Sequence, residues 1–141
     1  MKRFLMVMAA SMAIVSTAAI AQEQPAKPVS PSVQAALDWL ALVDQGEYGP
    51  SWDTAAAYLK QVVPQDQWVQ ALSAARVPFE GFVSRQFVSS SPTTTLEGGP
   101  DGEYDVLVFQ SAFTKKADAT ETMTIMKDSD GTWHVAGYSI R

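Results

Sequence analysis

The sequence contains no cysteine and only one histidine, His134. Without cysteine the chain forms no disulfide, no thiolate metal site and no cysteine nucleophile. A catalytic histidine would need a partner within hydrogen-bond reach, and a metal site would have to be built mainly from carboxylates. We therefore expect His134 to be an ordinary strand residue, and the sequence predicts no catalytic residues, no metal ion and no cofactor.

A membrane-spanning apolar run is also missing from the start of the chain. The apolar stretch of residues 4–15 follows two basic residues and is shorter than the roughly 20 residues that span a bilayer. Residues 19–21 read Ala-Ile-Ala, which matches the small-residue pattern before a signal-peptidase cut. We expect a signal peptide over residues 1–21, cleavage after Ala21, and a periplasmic or secreted protein; the alternative is a retained membrane anchor.

Positive charge is scarce as well. The chain has 10 Lys and Arg against 15 Asp and Glu; without Lys2 and Arg3 this becomes 8 against 15, a charge near −7. Such a surface repels phosphate backbones and anionic lipid, so we expect no nucleic-acid partner and no membrane association after cleavage. Residues 22–31, rich in Pro and Gln, predict a linker, which leaves residues 32–141 as one domain.

Apolar spacing predicts three helices in the first half of this domain. In three segments apolar residues recur at intervals of three and four, the period of an amphipathic helix. Ser30 can cap the first helix and Pro31 fits its first turn. The second pattern runs without interruption from Trp52 to Val63, and the third ends at Pro78.

From residue 82 onward the period changes to two, which is typical of β-strands. Four such segments are separated by short turn sequences, among them EGGPDG and DSDG. In the third segment, Thr120, Thr122 and Thr124 alternate with Glu121, Met123 and Ile125. The predicted fold class is α+β, with three N-terminal helices packed on a four-stranded antiparallel sheet, because neither layer can bury its apolar side alone.

The order of short motifs resembles a known family. The motifs are AALDWLALVDQGEYGPSW, then R-x-P, SR, GPDGEY, an ET pair and the closing DGTWHVAGY. Over residues 33–140 they are similar to the exported bacterial proteins of domain-of-unknown-function family 4019. The resemblance implies a cystatin-like, nuclear-transport-factor-2-like fold with helices in the concavity of a curved sheet, and it implies no activity. In the family pattern a glycine follows R-x-P one place earlier than Gly81, where this chain has Glu80, so the local turn is expected to differ.

Arg85 and Glu121 are the main candidate site residues. Glu121 shares a strand face with Met123 and Ile125, and a buried carboxylate is costly unless it is paired. Arg85, inside the first strand, is the natural partner. The pair is either a structural tie between two strands or the polar floor of a helix-covered pocket, where Arg85 would meet a ligand carboxylate.

Trp52 and Trp68 complete the candidate ligand-binding set. Aromatic residues at helical spacing usually belong to a core, and the alternative is an aromatic-lined cleft. On the last strand, simple alternation groups His134 with Tyr138, on the face opposite Trp133.

The sequence leaves three functions open. The first is a non-catalytic module that binds a small molecule or a protein of the cell envelope, because no nucleophile motif is present. The second is a small isomerase-like or dehydratase-like enzyme with an acid–base pair in a pocket, for which Glu121 with Tyr58 or Tyr104 is the candidate. The third is a structural or stress-related envelope protein that forms a homodimer through its exposed sheet face.

Overall fold

The computed structural model describes residues 28–141. They form the helices α1 (Pro31–Asp44), α2 (Tyr48–Asp53), α3 (Ala57–Val62) and α4 (Gln65–Arg76), a 3-10 turn (Val77–Phe79), and the strands β1 (Phe82–Thr93), β2 (Tyr104–Phe113), β3 (Lys116–Lys127) and β4 (Trp133–Ile140). The predicted signal peptide and residues 22–27 of the predicted linker lie outside the described residues. None of the helices in residues 28–141 is long and apolar enough to cross a membrane.

The four strands form one antiparallel sheet in the order β1-β2-β3-β4. Each strand pairs with the one before it, because short turns connect neighbours along the chain. β1 and β4 are therefore the two edges of this sheet. The predicted α+β class with four antiparallel strands is confirmed.

The core lies between α1 and one face of the sheet. Leu40 of α1, Leu107 of β2 and Met123 of β3 are fully buried there. Burying one such side chain stabilises the fold by about 2 kcal/mol. α1 begins as the sequence predicts, since the Ser30 hydroxyl accepts a hydrogen bond from the Val33 N–H at 3.5 Å. The threonines of β3 lie on the other sheet face and are partly exposed.

The prediction of three helices is wrong, because the second helical pattern forms two short helices, α2 and α3. The chain leaves the helical path between Thr54 and Ala56. There the Ala56 N–H donates to the Val135 carbonyl of β4 at 2.8 Å, where a continuous helix would have bonded to its own preceding turn. Ala55 and Ala56 are both buried. Their apolar spacing thus reflects docking on β4 and not one long helix.

Glu80, between the 3-10 turn and β1, has an unusual backbone conformation. Its φ is 59° and its ψ is −140°, a region that glycine adopts far more easily than any other residue. Two backbone hydrogen bonds fix the turn: Thr114 N–H to Gly81 O at 2.8 Å and Lys115 N–H to Phe79 O at 3.0 Å. Glu80 stands where the sequence resemblance implies a glycine, and its backbone has a glycine-type conformation.

Candidate functional site

Six polar side chains meet between the helices and the sheet and form what we call the ion-pair hub. Its members are Asp44 of α1, Arg76 of α4, Arg85 of β1, Ser111 of β2, Glu121 of β3 and Tyr138 of β4. Two positive and two negative charges balance there. Because every strand and two helices each supply one member, the hub connects both layers of the fold.

Arg85 binds both carboxylates of the hub. Its Nε lies 2.7 Å from Glu121 Oε1, and its Nη1 and Nη2 lie 2.9 and 3.0 Å from the two oxygens of Asp44. The guanidinium also lies 4.5 Å from the centre of the Phe82 ring, within cation–π range. The structure thus brings together the two residues that the sequence analysis paired, and adds Asp44.

Arg76 is the second cation. Its Nη2 lies 2.7 Å from Asp44 Oδ1 and its Nη1 lies 3.8 Å from Glu121 Oε2. Its Nε is buried and has no hydrogen-bond partner within residues 28–141. The guanidinium lies 4.6 Å from the centre of the Phe113 ring, which covers part of it.

Glu121 is saturated with donors. It accepts hydrogen bonds from Arg85 Nε, from the Ser111 hydroxyl and from the Tyr138 hydroxyl, the last at 2.5 Å. Its exposed fraction is 0%. A general base must reach its substrate, and this carboxylate reaches only protein groups.

Burial and charge act on the pKa values of the hub. Burial alone would lower the pKa of the Arg85 guanidinium, but the hydrogen bonds and charges of Asp44 and Glu121 outweigh it and raise that pKa. Burial raises the pKa of the Tyr138 hydroxyl, and the negative charge of Glu121 raises it further. Arg85 therefore stays charged and Tyr138 stays neutral at physiological pH.

Four members of the hub, Ser111 among them, were not predicted as site residues, although the two on helices carried a usable signal. Asp44 follows Leu40 by four residues, and Arg76 follows Leu72 by four, so each charge lies on the buried face of its helix. Tyr138 had no such signal. A register shift in β4, between the residues opposite Thr124 and Ile125, reverses the alternation.

The grouping of Tyr138 with His134 is therefore wrong. Tyr138 pairs with Met123 and points into the core. His134 is partly exposed and lines a pocket between α1 and β4 together with Asp38 and Val135. Its Nε2 is 2.6 Å from the Thr132 hydroxyl and its Nδ1 is 3.2 Å from the Thr54 carbonyl. Within residues 28–141, no group of three or more His, Asp or Glu side chains could hold a metal ion.

The remaining candidate residues make their hydrogen bonds outside the hub. The Trp52 indole N–H donates to the Val63 carbonyl at 2.8 Å, and the Trp68 indole N–H donates to Ser51 Oγ at 3.1 Å. In the described part of the chain, no hydrogen bond or ion pair joins either indole to Arg85 or Glu121.

The two tyrosines proposed as partners of Glu121 also bond elsewhere. Tyr58 donates to Gly98 O at 2.6 Å and Tyr104 donates to Pro100 O at 2.5 Å. The proposed acid–base pairing of Glu121 with Tyr58 or Tyr104 is therefore wrong, and Tyr138 occupies that place.

β1 presents a second distinctive surface, which we call the β1 edge. Four of its apolar side chains are exposed: Phe82 (40%), Val83 (63%), Phe87 (46%) and Val88 (57%). Val83 and Val88 sit at the two register shifts with β2 and have no paired residue there. On its other side β1 has no neighbouring strand among residues 28–141. Unpaired backbone donors and acceptors thus run beside exposed apolar side chains.

Two clefts open near this strand. A groove of about 480 Å³ lies between α1 and β1 and is lined by Val29, Val33, Leu37 and Phe87, among others. A cleft of about 400 Å³ at the far end of β1 is lined by Pro92, Asp105 and Trp133, among others. Neither Arg85 nor Glu121 lines either space.

Comparisons with known proteins identify a family and distant structural neighbours. The family described as "Protein of unknown function (DUF4019)" matches residues 35–138. The protein Aln2 from a Streptomyces species is similar in structure, with 15% identity and a TM-score of 0.47 over 82% of this chain and 93% of that chain. A protein from Catenulispora Acidiphila is similar with 11% identity and a TM-score of 0.45, over 79% and 88% of the two chains. No curated protein matches the sequence.

Proposed function

The chain belongs to the DUF4019 family of proteins of unknown function, and we propose that it is an exported, non-catalytic module that binds extended protein segments by strand addition at β1. The observation that carries the proposal is the β1 edge, with its four exposed apolar side chains. Strand addition uses the free backbone groups of an edge strand for affinity and neighbouring pockets for specificity.

β1 has few of the features that usually prevent an edge strand from pairing with other chains. Such strands are commonly blunted by charged side chains, by proline or by bulges, because they otherwise pair with other chains. Between Phe82 and Ser91 the only charged residue is Arg85, which is engaged in the hub, and the first proline is Pro92. The two register shifts bend the strand, but they place valines at the surface.

The groove beside β1 supports the same function. A segment added along β1 would direct alternate side chains over Val33, Leu37 and Phe87, which are apolar and line one continuous space. The arrangement of an edge strand beside a helix supplies both parts of a peptide site: a backbone ladder and side-chain pockets.

The ion-pair hub supports a non-catalytic role. Its carboxylates are bound by arginines, and the clefts of about 400 and 480 Å³ lie away from Glu121. The single layer of helices on one face of a four-stranded sheet also favours the cystatin-like arrangement that the sequence resemblance implies.

The binding test uses an eight-residue peptide in which Val alternates with Thr. We expect the backbone amide resonances of β1 and of residues 29–37 to shift on titration, and those of β4 to stay unchanged. The matched control peptide has Pro at its centre, which removes a ladder hydrogen bond. It should bind much more weakly.

Matched variants distinguish peptide binding at the β1 edge from nonspecific binding to any exposed apolar side chain. The double variant Val83→Lys/Val88→Lys should lose peptide binding. The double variant Val62→Lys/Val77→Lys makes the same change at valines that are 54% and 59% exposed on other surfaces, and it should bind normally. Equal binding by both variants would overturn the proposal.

Export is the second part of the proposal and rests on the signal-peptide pattern of residues 1–21. We expect the protein in the periplasmic or secreted fraction, with Gln22 as its first residue. Mass spectrometry of the protein purified from each cell fraction measures both properties. A chain that retains Met1 in the cytoplasm would refute export and leave the binding proposal unaffected.

A further inference from the structure

We propose that the segment bound at β1 is the β1 strand of a second copy of this chain, so that two sheets join into one across a two-fold axis. This inference rests on the proposed strand addition and names its partner. Two features indicate that the bound segment comes from a second copy: the order of residues along β1 and the distribution of charge.

The apolar residues of β1 are arranged symmetrically. The sequence Phe82-Val83-Ser-Arg-Gln-Phe87-Val88 repeats one Phe-Val pair on either side of a three-residue centre. When two copies of this strand run antiparallel with Arg85 at the axis, each Phe-Val pair of one copy lies beside a Phe-Val pair of the second copy. Aromatic residues opposite β-branched residues are favourable cross-strand pairs.

Charge favours the same contact. The protein is acidic, with 15 Asp and Glu against 10 Lys and Arg, so two copies repel each other over most of their surface. Residues 82–93 contain no acidic side chain, and the charge of Arg85 is compensated by Asp44 and Glu121. The β1 edge is thus a neutral apolar strip on which a second copy meets no repulsion.

The size of the contact limits its strength. The segment from Phe82 to Val88 is about 23 Å long at the usual rise per strand residue. One such ladder with four apolar side chains per copy is smaller than the roughly 1,200 Å² of a stable interface. Because such small interfaces are weak and transient, we expect a reversible dimer with a dissociation constant of about 10 to 100 µM.

Sedimentation velocity of the purified protein between 5 and 500 µM measures this equilibrium. We expect a shift from monomer to dimer in this range, its loss in Val83→Lys/Val88→Lys, and its retention in Val62→Lys/Val77→Lys. Since the native chain has no cysteine, register can be tested by oxidation of introduced thiols. Ser84→Cys mixed with Gln86→Cys should form a cross-linked dimer, and Ser84→Cys mixed with Thr122→Cys should not.

The outcomes separate this inference from the proposed function. A protein that stays monomeric at 500 µM but binds the Val-Thr peptide at β1 refutes the dimer and keeps strand addition. A monomer that binds no peptide refutes both. A dimer that persists in Val83→Lys/Val88→Lys places the contact elsewhere and also refutes the inference.

Discussion

The ion-pair hub and the β1 edge meet in strand β1. There they reverse the usual distribution, in which charged side chains face solvent and apolar side chains are buried. Arg85 turns a charge inward against Asp44 and Glu121, while Val83 and Val88 turn apolar side chains toward solvent. Charges buried with their partners mostly specify which groups must meet. The exposed valines bury little surface within the chain, so they contribute little to its stability and are available to another molecule. The inward charge of β1 thus helps to hold the two layers of the fold together, and its exposed valines form part of the surface that we propose for binding.

The largest expected effect comes from removing one charge of the hub. Glu121→Gln leaves Arg76 and Arg85 facing a single carboxylate, and breaking a buried pair in this way costs about 3–5 kcal/mol. Urea denaturation of the variant and of the parent protein measures the loss of unfolding free energy.

The control for this loss is a carboxylate at the surface. Glu103 lies 3.3 Å from Lys127, and both side chains are well exposed at 64% and 40%. Glu103→Gln should cost less than about 1 kcal/mol. If the two variants were equally stable, the hub carboxylate would contribute no more to the unfolding free energy than a surface ion pair does.

The next effect is a pH dependence of stability to which the hub contributes through Tyr138. The pKa of Tyr138 is raised in the folded protein by burial and by Glu121. Above the ordinary tyrosine pKa of about 10, the unfolded chain loses a proton that the folded chain keeps, so stability falls by up to about 1.4 kcal/mol per pH unit. The raised pKa of Arg85 adds a stabilisation that does not change between about pH 9 and 11, because arginine stays protonated there in both the folded and the unfolded chain.

Tyr138→Phe tests this dependence. The pKa of Tyr104 is also raised by burial, but Tyr104 is present in both proteins, so their difference isolates Tyr138. We expect the stability of the variant, measured by urea denaturation at pH 9, 10 and 11, to fall less steeply than that of the parent. Parallel curves would show that Tyr138 titrates normally.

A smaller effect, and this time an increase in stability, is expected at Glu80, just before β1. Glu80 holds a glycine-type conformation, and Glu80→Gly should stabilise the protein by about 1 kcal/mol. Thermal or urea denaturation measures the gain. Gly46, which already has a positive φ and open space around it, provides the reverse control, since Gly46→Ala should destabilise.

The smallest effect concerns the β1 edge itself. Val83→Lys/Val88→Lys should change the unfolding free energy by less than about 0.5 kcal/mol, because both side chains are already exposed. Denaturation at 5 µM, well below the expected dimer range, gives the value for the monomer. A loss of several kcal/mol would mean that these valines serve the fold, and the contrast between the two sides of β1 would disappear.

Local periodicity predicts most of this fold. The alternation of β3 predicts that the strand face carrying Glu121 is buried. The capping pattern predicts that α1 starts after Ser30. The split between α2 and α3 escaped prediction because a contact with β4, at Val135, decides it. Tyr138 was placed on the wrong face because one extra residue in β4 is invisible to a period of two.

The candidate site was predictable only in part, for the same reason. A buried carboxylate demands a cation, so Glu121 pointed to Arg85 from the sequence alone. Asp44 and Arg76 carried the weaker signal of helical spacing from Leu40 and Leu72. That one edge of β1 has no neighbouring strand within residues 28–141 follows from the strand order, which no single segment encodes.

The strand order of the sheet also indicates which contacts form early in folding and which form late. Neighbouring strands close through short hairpins, whereas the hub joins Arg76 to Tyr138 across 62 residues. Contacts so distant in sequence cost the most loop entropy, so we expect them to form after the transition state. Hub variants should then speed unfolding and leave the folding rate nearly unchanged, as stopped-flow kinetics would record. The hub would thus determine the unfolding rate, and with it the lifetime of the folded protein.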